Sequence, residues 1–232
     1  MTGDLQIRLL GWVELGGRRL TRTEMEALIG EDPKSVAGFG GEFQVSWDSC
    51  TASDRLGILG LPGPFGVITC DGRVTAEVNP ETPALPLEEA IRTAVRLRAS
   101  GGAVALSGGV DSALIARLAG LPCATMGMEG SRDLEEGQAA AEALGLPWEG
   151  VTVTAGDVEE ALPSVAGAIP RVTPLDAAIA TCLFFVARWA RGRGHRAILA
   201  GQGADELFAG YARYRTAPDI PAMLGRDFAS LR

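Results

Sequence analysis

"AVALSGGVDSALIARLAG", residues 103–120, decides how the rest of the chain is read. An apolar run short enough for a strand leads into Ser-Gly-Gly, and an apolar helical stretch follows with Leu114, Ile115 and Leu118 on one face. Gly108 and Gly109 lack Cβ atoms, so consecutive backbone N–H groups can turn inward as an anion-binding nest. The positive end of the following helix adds to that field, and the hydroxyls of Ser107 and Ser112 offer donors. Such a loop is built for phosphate. No lysine follows the glycines as a Walker loop requires. Asp111 stands there instead, and a carboxylate beside phosphates implies Mg²⁺ between them.

Outward from this loop, the chain after Pro86 alternates helix and strand. "LEEAIRTAVRLRASG" has helical spacing, "GAVALS" and "CATMGM" read as strands, and "DLEEGQAAAEALG" is a helix before a third strand, "GVTVT". The apolar run in "DAAIATCLFFVARWARGRG" is too short to span a bilayer and reads as a buried helix. "AILA" supplies a fourth strand. The pattern predicts an α/β fold, a parallel sheet covered on both faces, with ligands at the carboxyl ends of its strands. A second glycine-bearing loop, "GQGADELFAGY", follows the fourth strand and carries Asp205. It fails the dinucleotide fingerprint G-x-G-x-x-G at Glu206. Asp111 and Asp205, each just past a strand end, form a candidate metal clamp.

Residues 1–80 have a different texture, rich in glycine and short apolar runs such as "EFQVSW" and "RLGIL". "FGVITCDGRVTAEV" carries a turn signal between alternating segments and predicts a hairpin. "TRTEMEALIG" predicts one short helix with Thr21 or Thr23 as cap and Gly30 as stop. "NPETPALP", residues 79–86, is a proline-rich linker.

Of 232 residues, 47% are hydrophobic and 22% charged, enough to bury a core. The formal charge of −8 argues against a nucleic-acid partner, which needs a basic field. Cys50, Cys70, Cys123 and Cys182 are widely spaced and His195 is the only histidine, too few ligands for a zinc site. The expectation is reduced, buried thiols in a cytoplasmic protein without a membrane segment.

"SGGVDS" resembles the pyrophosphate loop of the N-type ATP pyrophosphatases, which cleave ATP between its α- and β-phosphates. "AGQGADELFAGY" is similar to the "SGEGSDE(L/V)FGGY" block of one branch, the asparagine synthetases, and "CATMGMEGSRDLEEGQAAAEALGL" to that family's second strand and helix. The resemblance spans residues 86–215 and implies a HUP-like ATP pyrophosphatase domain over 87–232, joined by a linker at 81–86 to the part spanning 1–80. "FGGEFQVSWDSCTASDRLGILG" looks like a segment of the family's Ntn-type glutaminase domain, so residues 1–80 are expected to be a small β-rich, degenerate remnant of one.

Carried over residue by residue, the resemblance implies an ATP site at Leu106, Ser107, Gly108, Gly109, Val110, Asp111, Ser112, Met126, Gly201, Gln202 and Gly203. Adenine would lie near Met126 and Met128, Mg²⁺ on Asp111 and Asp205, with Asp111, Gln202 and Asp205 as the catalytic set. The implied reaction activates a carboxylate, by default aspartate, as an acyl-adenylate with release of pyrophosphate; ammonia or an amine then forms the amide. Asparagine synthetases often pair, so a homodimer is a further expectation.

Three departures stand out. Thr2 occupies the place of the family's nucleophilic cysteine, which argues against glutamine hydrolysis. Gln202 replaces a glutamate and cannot accept a proton at neutral pH. Lys34 is the only lysine, so Arg132, Arg171, Arg213 or Arg215 would have to serve as counter-charge. Two alternatives stay open: a non-catalytic ATP-binding regulator, or another ATP pyrophosphatase such as a tRNA-modifying enzyme.

Overall fold

The computed structural model describes residues 6–80, 84–169 and 171–229. Thr2 and linker positions 81–83 fall outside them. The chain forms two compact units, one through Pro86 to which the segment from Arg226 also belongs, the other Leu87–Gly225.

The described residues of the first unit through Pro86 form an antiparallel sheet with an α-helix and a short 3-10 helix, Pro33–Gly38. Its elements are β1 (Ile7–Leu15), β2 (Arg18–Arg19), α1 (Arg22–Glu31), β3 (Gly40–Trp47), β4 (Cys50–Ser53), β5 (Val67–Cys70) and β6 (Arg73–Glu77), with strand order β2-β1-β3-β4-β5-β6. Alternation in β3 buries Phe43, Val45 and Trp47 on one face, where Met25 and Ile29 of α1 meet them. Thr21 caps α1 reciprocally with Glu24. The helix runs past the expected stop at Gly30 to Glu31, because its last turn is closed by the Asp32 N–H bonding Leu28 O at 2.9 Å. The expected hairpin forms, with Asp71 and Gly72 both at positive φ in a two-residue turn.

"RLGIL" forms no strand. Asp54, only 3% exposed, accepts from the N–H groups of Phe43, Leu56 and Ile58, and this folds residues 54–66 as a loop. The thiol expectation also fails in this unit. Cys50 and Cys70 face each other across the β4–β5 ladder and form a disulfide; Cys123 is free and buried as expected, and Cys182 is free but exposed. Residues 20 apart in sequence become neighbours only once that register is set.

The second unit comprises α2 (Leu87–Arg98), β7 (Gly102–Ala105), α3 (Val110–Ala119), β8 (Cys123–Gly127), α4 (Arg132–Leu144), β9 (Trp148–Thr152), α5 (Ala155–Ala168), α6 (Pro174–Gly192), β10 (Ala197–Leu199) and α7 (Ala204–Phe208). Helix α8 (Ile220–Ala229) begins within it. All strand pairs are parallel, in the order β10-β7-β8-β9. The chain steps from β7 to β9, then returns past β7 to β10. With right-handed crossovers this puts α3 and α4 on one face and α6 on the other. The loops after β7 and β10 therefore leave neighbouring strands at the point where the winding reverses. The protein is α/β, with a parallel sheet in one unit and an antiparallel sheet in the other. Among the described residues no helix is long and apolar enough to cross a membrane.

Candidate functional site at the β7 and β10 strand ends

The loop after β7 is held by its own hydrogen bonds. The Ser112 hydroxyl, on a residue 5% exposed, donates to Gly109 O at 3.0 Å and accepts from Ser107 N at 3.2 Å. The two serine oxygens lie 3.0 Å apart, and Ser107 Oγ accepts from Gly109 N at 3.3 Å. These hydroxyls shape the turn. That differs from the free donors expected from the sequence, because the compact Ser-Gly-Gly turn brings each within reach of the loop's own backbone. Gly109 is the N-cap of α3 and has no side chain to bond its first turn. The first-turn N–H groups of a helix have no intrahelical partner, and this cap supplies them none from its own side chain.

Gly108 sits at φ 84°, and a Cβ on it would abut Glu136 of α4. Gly201 brings the two loops together: a Cβ there would stand 2.8 Å from the Ser112 nitrogen and 2.9 Å from Asp111 Cβ. Only glycine lets the β10 loop rest on the first turn of α3.

Between these loops and α6 lies a cavity of about 400 Å³. Nine residues singled out from the sequence line it: Leu106, Ser107, Gly109, Asp111, Ser112, Met126, Gly201, Gln202 and Asp205. Gly108, Val110 and Gly203 do not. Gly108 and Gly203 supply positive-φ turns, and the Val110 side chain is 79% exposed. Met128, one residue past the end of β8, lines only a neighbouring cavity, which Met126 lines as well, so of the two methionines expected beside adenine only Met126 reaches this one. Of the proposed counter-charges none lines the cavity. Arg132 pairs with Glu136, Arg171 with Asp176, and Arg213 lies 4.1 Å over the Tyr211 ring.

The far wall comes from Ile179, Cys182, Leu183 and Val186 of α6, with Asp133 from α4. The spacing of the four α6 residues is one helical face, visible in the sequence as apolar periodicity but with no sign of what that face covers. The Cys182 thiol is pushed up by burial and by the Asp133 carboxylate. At the end of the second loop the Tyr211 hydroxyl donates to Glu206 Oε1 at 2.6 Å, and this bond, with burial, raises its pKa to about 12. The other Glu206 oxygen is buried and meets no donor among the described residues.

Among the described residues no group of three or more His, Cys, Asp or Glu could hold a metal ion by itself. Asp111 and Asp205 both line the cavity, and carboxylates are the ligand type Mg²⁺ uses when phosphate oxygens and water complete its shell.

Residues 86–229 match the family model for asparagine synthase. A putative glutamine-hydrolysing asparagine synthetase 1 of Methanocaldococcus jannaschii is 36% identical over 135 residues, which are 55% of this chain and 25% of that protein. A putative glutamine-hydrolysing asparagine synthetase of Mycobacterium tuberculosis (strain H37Rv) is 38% identical over 136 residues, covering 56% and 20%. A glutamine-hydrolysing asparagine synthetase 1 of Arabidopsis thaliana is 32% identical over 163 residues, covering 62% and 28%. The match thus spans between a fifth and somewhat over a quarter of these relatives. Among solved structures, the NH3-dependent NAD synthetase of Campylobacter jejuni, in complex with the nitrate ion, covers 53% of this chain and 57% of its own, at 18% identity and a TM-score of 0.36.

Proposed function

The chain belongs to the asparagine synthase family through residues 86–229, and on that premise we propose that it activates a carboxylate with ATP for amide formation. One observation carries this reading: the loops after β7 and β10, about ninety residues apart, line a single cavity with a carboxylate from each. The β- and γ-phosphates of ATP lie on Ser107–Ser112, with the base toward Met126. A substrate carboxylate oxygen attacks the α-phosphorus as the bond to pyrophosphate breaks. The nitrogen of ammonia or an amine then attacks the acyl carbon, AMP leaves with its oxygen, and the amine proton passes to water. Mg²⁺, held by Asp111 and Asp205, would neutralise phosphate charge. The protein's own part is to position and to hold dipoles in place; the α3 N-terminus and the rigid Ser107–Ser112 turn do both.

Aspartate is the default substrate that the family supplies. Glutamine hydrolysis is no part of the proposal, nor is nucleic-acid binding; the setting proposed is cytoplasmic, and the first unit is taken as a degenerate glutaminase-like domain. A second reading, an ATP-binding regulator without catalysis, is favoured by Gln202: it lines the cavity where a proton acceptor would serve, and among the described residues no lysine or arginine lines that cavity.

Exchange of labelled pyrophosphate into ATP, run with a panel of amino acids and other carboxylates, tests the ligase. Carboxylate-dependent exchange that needs Mg²⁺ and disappears in Asp111→Asn is the expected result. Tight ATP binding with no exchange for any acid would establish the regulator instead.

A further inference from the structure

The start of the phosphate loop is fixed by a residue outside it. Thr125, in the middle of β8, is 4% exposed. Its hydroxyl donates to Leu106 O at 2.5 Å and accepts from Trp148 Nε1 at 2.8 Å. Leu106 is the residue at which β7 has ended and the Ser107–Ser112 turn begins. The β7–β8 register closes at Ala105↔Ala124, and the Leu106 N–H bonds Ala124 O at 2.9 Å. Its carbonyl, by contrast, is taken by a side chain. One hydroxyl thus joins three strands, β7, β8 and β9, at the edge of the cavity that Leu106 and Thr125 both line.

The arrangement has its own steric provision. A Cβ on Gly137 of α4 would overlap the Thr125 hydroxyl, so the helix that backs β8 carries glycine where the threonine needs room. Thr125 has one proton to donate, and its oxygen accepts from the indole N–H. The proton is therefore directed to the Leu106 carbonyl.

We propose that Thr125 is a positioning residue for nucleotide binding, acting through the Leu106 carbonyl to fix where the phosphate loop starts. The inference rests on the nucleotide reading given above. In a peptide group pinned this way, neither the carbonyl nor the next N–H, that of Ser107, can rotate, and the turn that follows inherits the orientation. Valine in place of threonine keeps the shape and removes the proton, leaving the carbonyl of buried Leu106 without its partner and the half-buried Trp148 indole N–H without its acceptor.

Calorimetric titration of the full chain with ATP–Mg²⁺ provides the test, beside hydrogen exchange over residues 104–112. Thr125→Val should weaken ATP about tenfold and release protection in that segment, and Thr125→Ser should restore both. Trp148→Phe removes the indole donor while leaving the bond to Leu106, so it should lower the thermal midpoint yet keep ATP affinity within about twofold. If Thr125→Val does not fold, Gly137→Ala, which displaces the hydroxyl without deleting it, should lower affinity in the same direction. Wild-type affinity in a folded Thr125→Val or Gly137→Ala, or equal losses in Thr125→Val and Trp148→Phe, would overturn the proposal and leave the nucleotide site standing. Failure of the wild-type chain to bind ATP would instead remove the site itself, and the proposal with it.

Discussion

Alanine at Gly108 and at Gly109 should behave very differently, although the two glycines are adjacent. Gly108 has φ 84°, a conformation that costs an L-residue about 1–2 kcal/mol. A Cβ there would also stand 2.8 Å from Glu136 Cβ, 2.9 Å from its carbonyl carbon and 3.0 Å from its oxygen. These are atoms of α4 that cannot rotate away, so the loop and the helix must separate, an overpacking cost of about 1–3 kcal/mol. The combined penalty is roughly 2–5 kcal/mol, which lowers the thermal midpoint of the second unit by on the order of 10 °C. Gly109 instead has φ −69° and ψ 155°, open to any residue, and its added Cβ would meet only Ser107 Oγ at 3.4 Å. Its replacement should stay within about 1 kcal/mol of the parent. Scanning calorimetry measures both, with hydrogen exchange over residues 87–225 to assign the transition. ATP affinity in Gly108→Ala should fall as well, by about 10–100-fold if the loop takes up the displacement. Equal midpoints for the two variants, or a Gly108→Ala midpoint within about 2 °C of the parent, would refute the close packing of loop on helix.

The protein has two tyrosines, Tyr211 and Tyr214. In Tyr214→Phe the remaining phenol should ionise only near pH 12, read by ultraviolet absorbance, because Glu206 accepts its hydrogen bond. A raised folded pKa means that this bond stabilises below the ordinary value of 10 and is lost as pH rises toward 12; titration near 10 would exclude the bond in solution. The Arg18 guanidinium and the Thr21 cap hold Glu24 at about 2, below its usual 4.5. Its contribution is present above pH 4.5 and lost as pH falls through 2, so Glu24→Gln should reduce stability at neutral pH and flatten the acid limb of a midpoint–pH curve. Alkylation under non-reducing, denaturing conditions should modify Cys123 and Cys182 alone, with peptide mass analysis recovering Cys50 joined to Cys70. Four modified cysteines would show the pair to be reduced.

Much of the second unit could be read from its residues because local chemistry marks it. Glycine, proline and the switch between periods of 2 and 3.6 located β7, α3, β8, α4 and β10, and both loops were found by their glycines and aspartates. Helix α5 was not read. Its interior Pro163 and two glycines obscure the periodicity, and its Thr154–Asp157 capping box is the signal that could have found it. The face of α6 was legible, but its use as a cavity wall was not. Thr125 looked like any strand threonine, since its partners lie 19 and 23 residues away.

By itself, the sequence determined most of the strands and helices of the second unit, α5 apart, and which turns can expose a row of amide hydrogens. Those outcomes depend on residues a few positions apart, through backbone freedom and hydrophobic spacing. Only the tertiary structure decided that β10 pairs with β7, register Leu199↔Val104, so that Asp111 and Asp205 line one cavity. It also set Cys50 against Cys70, Gly137 against Thr125 and Gly201 against the first turn of α3. Each of these is a contact between distant residues, fixed by strand register and by the close approach of two backbones.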